Sequence, residues 1–257
     1  TGRTSVAPDG KTIVVEDAPI IKLNKEAVGG TPIPEEAGKA TFKLTSVDKT
    51  LEGVKINGDD AIGEGVKEVV FDGNDVQFEY LPDGKYSLEE TAAPDGYTTV
   101  TTFTFDIVDG VVRNVKTATD GDAKVSEDGT VLEVFDTKSV ITIDKKALGG
   151  EEIPAEAGGA TFVLTAEDEG ATLEGVTING GDALDDVKST EFSGNSTKFT
   201  GLKDGKYSLE ETAAPDGFTT VTKFTFDIEN GIVKNVTVET DGDAKVSEDG
   251  TVLEVFD

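Results

Sequence analysis

The run D-G-D-A-K-V-S-E-D-G-T-V-L-E-V-F-D stands at Asp120–Asp136 and returns unchanged at Asp241–Asp257. A second run, D-G-K-Y-S-L-E-E-T-A-A-P-D-G-Y at Asp83–Tyr97, returns as Asp204–Phe218 with only its last aromatic altered. Two copies of one pattern fold as two like units, so the sequence divides into repeats over 19–137 and 138–257. Thr137-Lys138 leaves almost no linker, which predicts units stacked end to end with limited freedom. Gly10–Asp17 echoes Gly129–Asp136 in spacing and pattern. Residues 1–18 therefore read as the last strand of a preceding repeat, or else as a lead-in arm.

Within each repeat nearly every signal is for strand. Ile20–Lys25, Ala40–Thr45, Val54–Ile56, Val66–Phe71, Val76–Tyr80, Lys85–Thr91, Thr98–Val108, Val111–Thr117 and Val131–Asp136 alternate or carry β-branched runs. Asp72-Gly73-Asn74, Pro82-Asp83-Gly84, Asp109-Gly110 and Asp128-Gly129 mark turns between them. Pro34–Ala37 and Pro154–Ala157 are the only helix candidates, and both are short. Many short strands at regular spacing predict an all-β fold, a tandem pair of immunoglobulin-like β-sandwiches.

Composition removes several classes of function. The 257 residues hold no Cys, His, Met or Trp, so thiol and imidazole chemistry, His/Cys metal centres and disulfides are excluded. No cofactor is implied. A formal charge of -29 repels nucleic acid and anionic lipid, so neither is an expected partner. No apolar run approaches the length of a membrane span.

Strand parity then brings charges inward. In the stretch from Tyr86 to Glu90, the tyrosine, Leu88 and Glu90 share one face, while Ser87 and Glu89 lie on the other. In Ile21–Lys25 and Ile141–Lys145 the inward parity ends in Lys25 and Lys145. In the last strand of each repeat it ends in Asp136 and Asp257, with Glu133 and Glu254 outward. The second copy of the Glu is Glu211. A carboxylate at the inner end of a strand is costly without a partner. Two readings follow from this set. One is an ion-pair network, or charges at strand ends in water. The other is an intramolecular Lys–Asp amide: burial favours neutral amine and neutral acid, contact lowers the barrier, and Glu relays protons.

At these residues the chain resembles the collagen-adhesin B-type (Cna B-type) domains of Gram-positive surface adhesins and pilins. Their E-box is matched by Glu90–Tyr97 and Glu211–Phe218, their first strand I-x-φ-x-K by Ile21–Lys25 and Ile141–Lys145. Their closing strand ends in Asn or Asp, here Asp136 and Asp257. The resemblance implies a prealbumin-like sandwich in which Lys25 is bonded to Asp136 with Glu90 as catalyst. It pairs Lys145 with Asp257 in the same way, with Glu211 as catalyst. It also implies an extracellular stalk segment, anchored to the cell wall through a region outside this sequence. Its partners would be neighbouring repeats, with a host ligand held by another region. The chain departs from the commoner Lys–Asn form, and it shows neither a sortase sorting signal nor a pilin-type lysine motif. Alternatives are a ligand- or calcium-binding adhesin module, or a shaft subunit that donates residues 1–18 as a strand.

Two weaker motifs read as incidental. Asp120-Gly121-Asp122 with Glu127-Asp128 lacks EF-hand spacing, because Lys124 holds the fifth position, and reads as an acidic turn. Asn195-Ser196-Thr197 and Asn235-Val236-Thr237 match the glycosylation sequon by chance.

Overall fold

The computed structural model describes residues 2–6, 8–17, 20–98, 102–117, 122–220, 223–238 and 243–256. Two compact units emerge, one of Thr1–Pro94 with Thr99–Asp136 and one of Asp95–Thr98 with Thr137–Asp257. The first opens with a hairpin, β1 (Gly2–Val6) and β2 (Ile13–Asp17). There follow β3 (Ile20–Ala27), β4 (Thr31–Pro32), β5 (Thr41–Ser46), β6 (Lys55–Ile56), β7 (Glu68–Asp72) and β8 (Asp75–Glu79). Next come β9 (Gly84–Ala92), β10 (Phe103–Val108), β11 (Val111–Lys116), β12 (Ala123–Val125) and β13 (Val131–Asp136). The second unit holds β14 (Val140–Lys146), β15 (Thr161–Ala166), β16 (Thr177–Ile178), β17 (Ser189–Ser193) and β18 (Ser196–Thr200). It ends with β19 (Gly205–Ala213), β20 (Phe224–Glu229), β21 (Ile232–Thr237), β22 (Ala244–Val246) and β23 (Val252–Phe256).

Each unit is a two-sheet sandwich. In the first, the sheet β11-β10-β9-β5-β7 faces the sheet β12-β13-β3-β8-β6, with β4 added on β3. In the second, β17-β15-β19-β20-β21 faces β16-β18-β14-β23-β22. Alternation fixes which side chains meet between the sheets. Phe42 and Leu44 of β5, Tyr86 and Leu88 of β9, and Leu23 of β3 all lie in one buried cluster. The Tyr86 ring stacks on Phe105 at 5.4 Å, and its hydroxyl donates to the Pro82 carbonyl four residues upstream. Tyr207 stacks on Phe226 at 5.7 Å and donates to the Lys203 carbonyl at 2.8 Å. Such a phenol adds apolar area while keeping its polar tip satisfied.

The first and last strands of each unit are neighbours and run parallel. β13 pairs with β3 so that Val134 faces Lys25 and Asp136 faces Ala27. β23 pairs with β14 so that Val255 faces Lys145. On its other edge β3 pairs antiparallel with β8, as β14 does with β18.

Some boundaries differ from the sequence expectation. Of the expected strand Thr98–Val108, Phe103–Val108 is strand among the described residues, with a ladder to β9 from Ile107↔Gly84 to Phe103↔Leu88. Residues 99–101 within it lie outside the described residues. The helix candidates are single 3-10 turns, Glu35–Ala37 and Ala155–Ala157. β12 and β22 carried no strand signal. Ala-Lys-Val is too short and polar to show a period, and its pairing with the closing strand makes it β. The acidic turns are self-satisfied. Asp128 Oδ1 accepts from the Thr130 amide at 3.0 Å, the Thr130 hydroxyl at 2.8 Å and the Ser126 hydroxyl at 2.7 Å. These bonds hold its carboxyl down at about 2. Among the described residues no acidic group is arranged to hold a metal; Asp120 and Gly121 lie outside them.

One core difference between the repeats exposes a buried hydroxyl's cost. Where the first unit buries Val76 completely, the second buries Thr197, whose hydroxyl has no hydrogen-bond partner among the described residues. A buried hydroxyl without a partner costs about 1–3 kcal/mol. Thr197→Val keeps the shape and removes that cost. The expected result is a gain of about 1 kcal/mol in the second unit, read as a higher denaturant midpoint for its transition.

Candidate functional site

Three strands deliver the site in the first unit. Lys25 comes from β3, Glu90 from β9 across the sandwich, and Asp136 from the end of β13. They are 2%, 5% and 1% exposed, and the side chains of all three are fully enclosed. Lys25 Nζ lies 2.9 Å from Glu90 Oε2 and donates directly to Asp136 Oδ1. The same nitrogen sits 5.7 Å from the centre of the Phe42 ring, which walls the site with apolar surface. The Glu90 carboxyl stands close enough to Asp136 to push its pKa further up.

The electrostatics follow from that enclosure. Burial pushes the Asp136 carboxyl up to about 8, and the neighbouring Glu90 adds to the rise, against the pull of the Lys25 cation. The acid therefore holds its proton well above the ordinary carboxylate range. A protonated carboxyl offers a leaving hydroxyl, whereas a carboxylate repels a nucleophile. The arrangement can thus bring an amine against an activated acid, with a second carboxyl in hydrogen-bond reach of both.

Two local devices aim the groups, and both escaped the sequence reading. The first is a β-bulge. β5 and β9 pair Phe42 with Glu90, then Thr41 with Ala92, so Thr91 is an extra residue just beyond the glutamate. The Thr91 hydroxyl donates to the Thr41 carbonyl at 3.2 Å. The bulge recurs at Thr212, whose hydroxyl donates to the Thr161 carbonyl at 3.3 Å. Bulges re-aim neighbouring side chains and end regular pairing, which suits a charge that must point into a core. The second device is an asparagine clamp. Asn74 Oδ1 accepts from the Ala40 amide at 3.0 Å, and its Nδ2 donates to the Gly38 carbonyl at 2.8 Å. Its own carbonyl accepts the Lys25 amide, fixing the lysine's strand. Asn195 repeats all three bonds against Ala160, Gly158 and Lys145. Its amide is thereby committed to the fold. The signal for this residue was its presence in both copies, Gly73-Asn74 and Gly194-Asn195.

In the second unit Lys145 Nζ lies 3.0 Å from Glu211 Oε2, again with both side chains enclosed. Asp257 lies outside the described residues, so two of the three expected members are placed there. Glu133 and Glu254 lie on the outer face, as parity required. They pair with Lys124 at 2.7 Å and with Lys245 at 2.8 Å. Both glutamates are part-buried, and Glu254 also pairs with Lys146 at 3.0 Å.

A search of curated proteins finds no match. Among solved structures, the C-terminal fragment of the pilus adhesin SpaC from Lactobacillus rhamnosus GG is similar at 18% identity and a TM-score of 0.42. The alignment covers 93% of this chain and 96% of that one. The major pilin protein T3.2 from Streptococcus pyogenes is similar at 15% identity and a TM-score of 0.38, covering 93% of this chain and 95% of that one. A family model described as the SpaA prealbumin-like fold domain matches twice, over residues 21–122 and 141–242. Each match begins on a lysine-bearing first strand and takes in an E-box, in keeping with the resemblance carried by those motifs. On this double match the chain belongs to the SpaA prealbumin-like fold domain family.

Proposed function

We propose that the chain is a structural stalk segment of a bacterial cell-surface adhesin or pilus-like protein, each repeat locked by a self-formed Lys–Asp amide. Lys25 bonds to Asp136 with Glu90 relaying protons, and Lys145 bonds to Asp257 with Glu211 in that role. The observation that carries this is the enclosed Lys25–Glu90–Asp136 set, placed where the first and last strands run side by side. The amine attacks the Asp136 carbonyl carbon. Glu90 takes a proton from the nitrogen and returns it to the departing hydroxyl, and water leaves. The side chains that react are consumed, so each unit turns over once.

Such a bond suits a stalk. The chain has no Cys, so the usual staple of secreted small domains is not open to it. An amide does the same work and cannot be reduced. The neighbouring partners are then other repeats of the array, with ligand capture left to another region. The enclosed carboxyls are committed to the lysines, and Asp128 and Asp249 to their own turns. That disfavours the calcium-binding alternative.

Intact mass tests the proposal. The chain is expected to weigh two waters less than its sequence, and Lys25→Ala is expected to restore one. A chain at its full sequence mass would overturn it.

A further inference from the structure

The hairpin β1–β2 repeats, position for position, the segment that closes each unit. Gly2, Val6, Asp9, Gly10, Val15 and Asp17 stand where Gly121, Val125, Asp128, Gly129, Val134 and Asp136 stand in the first repeat. The pairing register is the same. Val6 faces Ile13 and Thr4 faces Val15, as Val125 faces Leu132 and Ala123 faces Val134. The second unit shows that register again in Val246↔Leu253 and Ala244↔Val255. The turn is also shared: Asp9 Oδ1 accepts the Lys11 amide at 2.8 Å, as Asp128 Oδ1 accepts the Thr130 amide at 3.0 Å.

What differs is what the hairpin lies against. In both units the closing strand has a second ladder, parallel, to the first strand. Among the described residues β1 and β2 form a sheet of two strands only. Leu132 and Leu253 are buried, and Val125 and Val246 pack on their cores. Their counterparts Ile13 and Val6 are 69% and 66% exposed. An apolar cross-strand pair in water beside an unpaired strand edge is half of an interface. The first strands of this chain cannot supply the other half, because β3 lies between β13 and β8, and β14 between β23 and β18.

We infer that β1–β2 is the closing hairpin of a further prealbumin-like unit, whose first strand lies in the same polypeptide ahead of Gly2, and that Asp17 is the acid of a third Lys–Asp cross-link. The occupant of the free edge is a strand of the form I-x-φ-x-K, running parallel to β2. Both units show this order, with the first strand preceding the closing hairpin in one chain. The cross-link step rests on the amide chemistry proposed above; the strand pairing does not. In that step a bond forms between the lysine Nζ and the Asp17 carboxyl carbon, and the acid's hydroxyl leaves as water with a proton from the nitrogen.

The test extends the whole chain. A second copy of residues 20–120 is fused directly ahead of Gly2, so that the hairpin can close it as Gly121–Asp136 closes the first repeat. The expected product is three waters lighter than its sequence instead of two, and Asp17→Ala in the extended chain returns the loss to two. The backbone amide of Val15, whose counterpart Val134 lies on the strand that pairs with β3, is expected to exchange at least tenfold more slowly than in the unextended chain. A loss of two waters with unchanged exchange overturns the inference. Slower exchange with only two waters lost overturns the role of Asp17 and keeps the pairing. No loss of water from the unextended chain instead sinks the amide proposal, and the exchange rates then decide the hairpin alone.

Discussion

A Glu90→Gln chain is expected to lose one water on folding instead of two, and its first repeat to unfold with about 4–5 kcal/mol less stability. Glutamine keeps the length and one hydrogen bond of glutamate but cannot take the proton from the Lys25 amine. Lys25 and Asp136 then stay separate groups. The span between them is 111 residues, and closing a loop of that order is worth about 4–5 kcal/mol in the chain-entropy account. The substitution leaves the Asp136 carboxyl against the Lys25 amine, so the lysine keeps a hydrogen-bond partner. Lys25→Ala is harsher. It leaves two enclosed carboxyls without a cation, and breaking a buried pair in that way costs about 3–5 kcal/mol. Mass and a denaturant titration that resolves the two repeats check both variants. A Glu90→Gln protein still lighter by two waters would remove Glu90 from the mechanism.

The open repeat should also acquire a pH dependence that the closed one lacks. The Asp136 carboxyl keeps its proton up to about 8 in the folded site, against 3.8 for a free carboxyl. Between those values the folded state holds a proton that the unfolded state has lost. Stability of an unlinked repeat therefore falls as pH rises through that window. With Gln at position 90 one cause of the raised value is gone while burial, the largest, remains. The fall should then be complete below about pH 8. In a linked repeat neither the amine nor the acid exists to titrate.

The architecture was legible because internal duplication doubles every signal. An alternating strand is ambiguous once and persuasive twice, and the lysine, glutamate and aspartate stood out because both copies carry them at the same parity. Parity gave the face of each strand but not its neighbours. Nothing in Val131–Asp136 says that it runs parallel to Ile20–Ala27, because parallel pairing is decided by how the whole sandwich closes. The bulge at Thr91 was invisible for a related reason: it inserts a residue without disturbing the composition of the strand. The Asn74 clamp was hidden inside a turn motif, where Gly-Asn reads as punctuation and not as a pair of hydrogen bonds holding the lysine's strand.

The largest effect should appear under load. A chain pulled at its ends enters the first repeat at Ile20 and leaves it at Asp136, and the two strands at those points are paired in parallel. Force then acts on them in shear. With an amide between Lys25 and Asp136, tension crosses from the first strand to the last through the bond. The intervening 111 residues lie off the load path, and their hydrogen bonds are never strained. Without the bond the sandwich must open, and its chain lengthens by about 3.3–3.6 Å per residue, on the order of 370–400 Å in all. Single-molecule pulling from handles beyond both ends of the sequence is therefore expected to show no unfolding step in the unaltered protein. Lys25→Ala should give one step of that size, and Lys25→Ala with Lys145→Ala should give two. Steps of equal size in the unaltered protein would show that load runs through the hydrogen-bonded strands, and the chain would then owe its strength to packing alone.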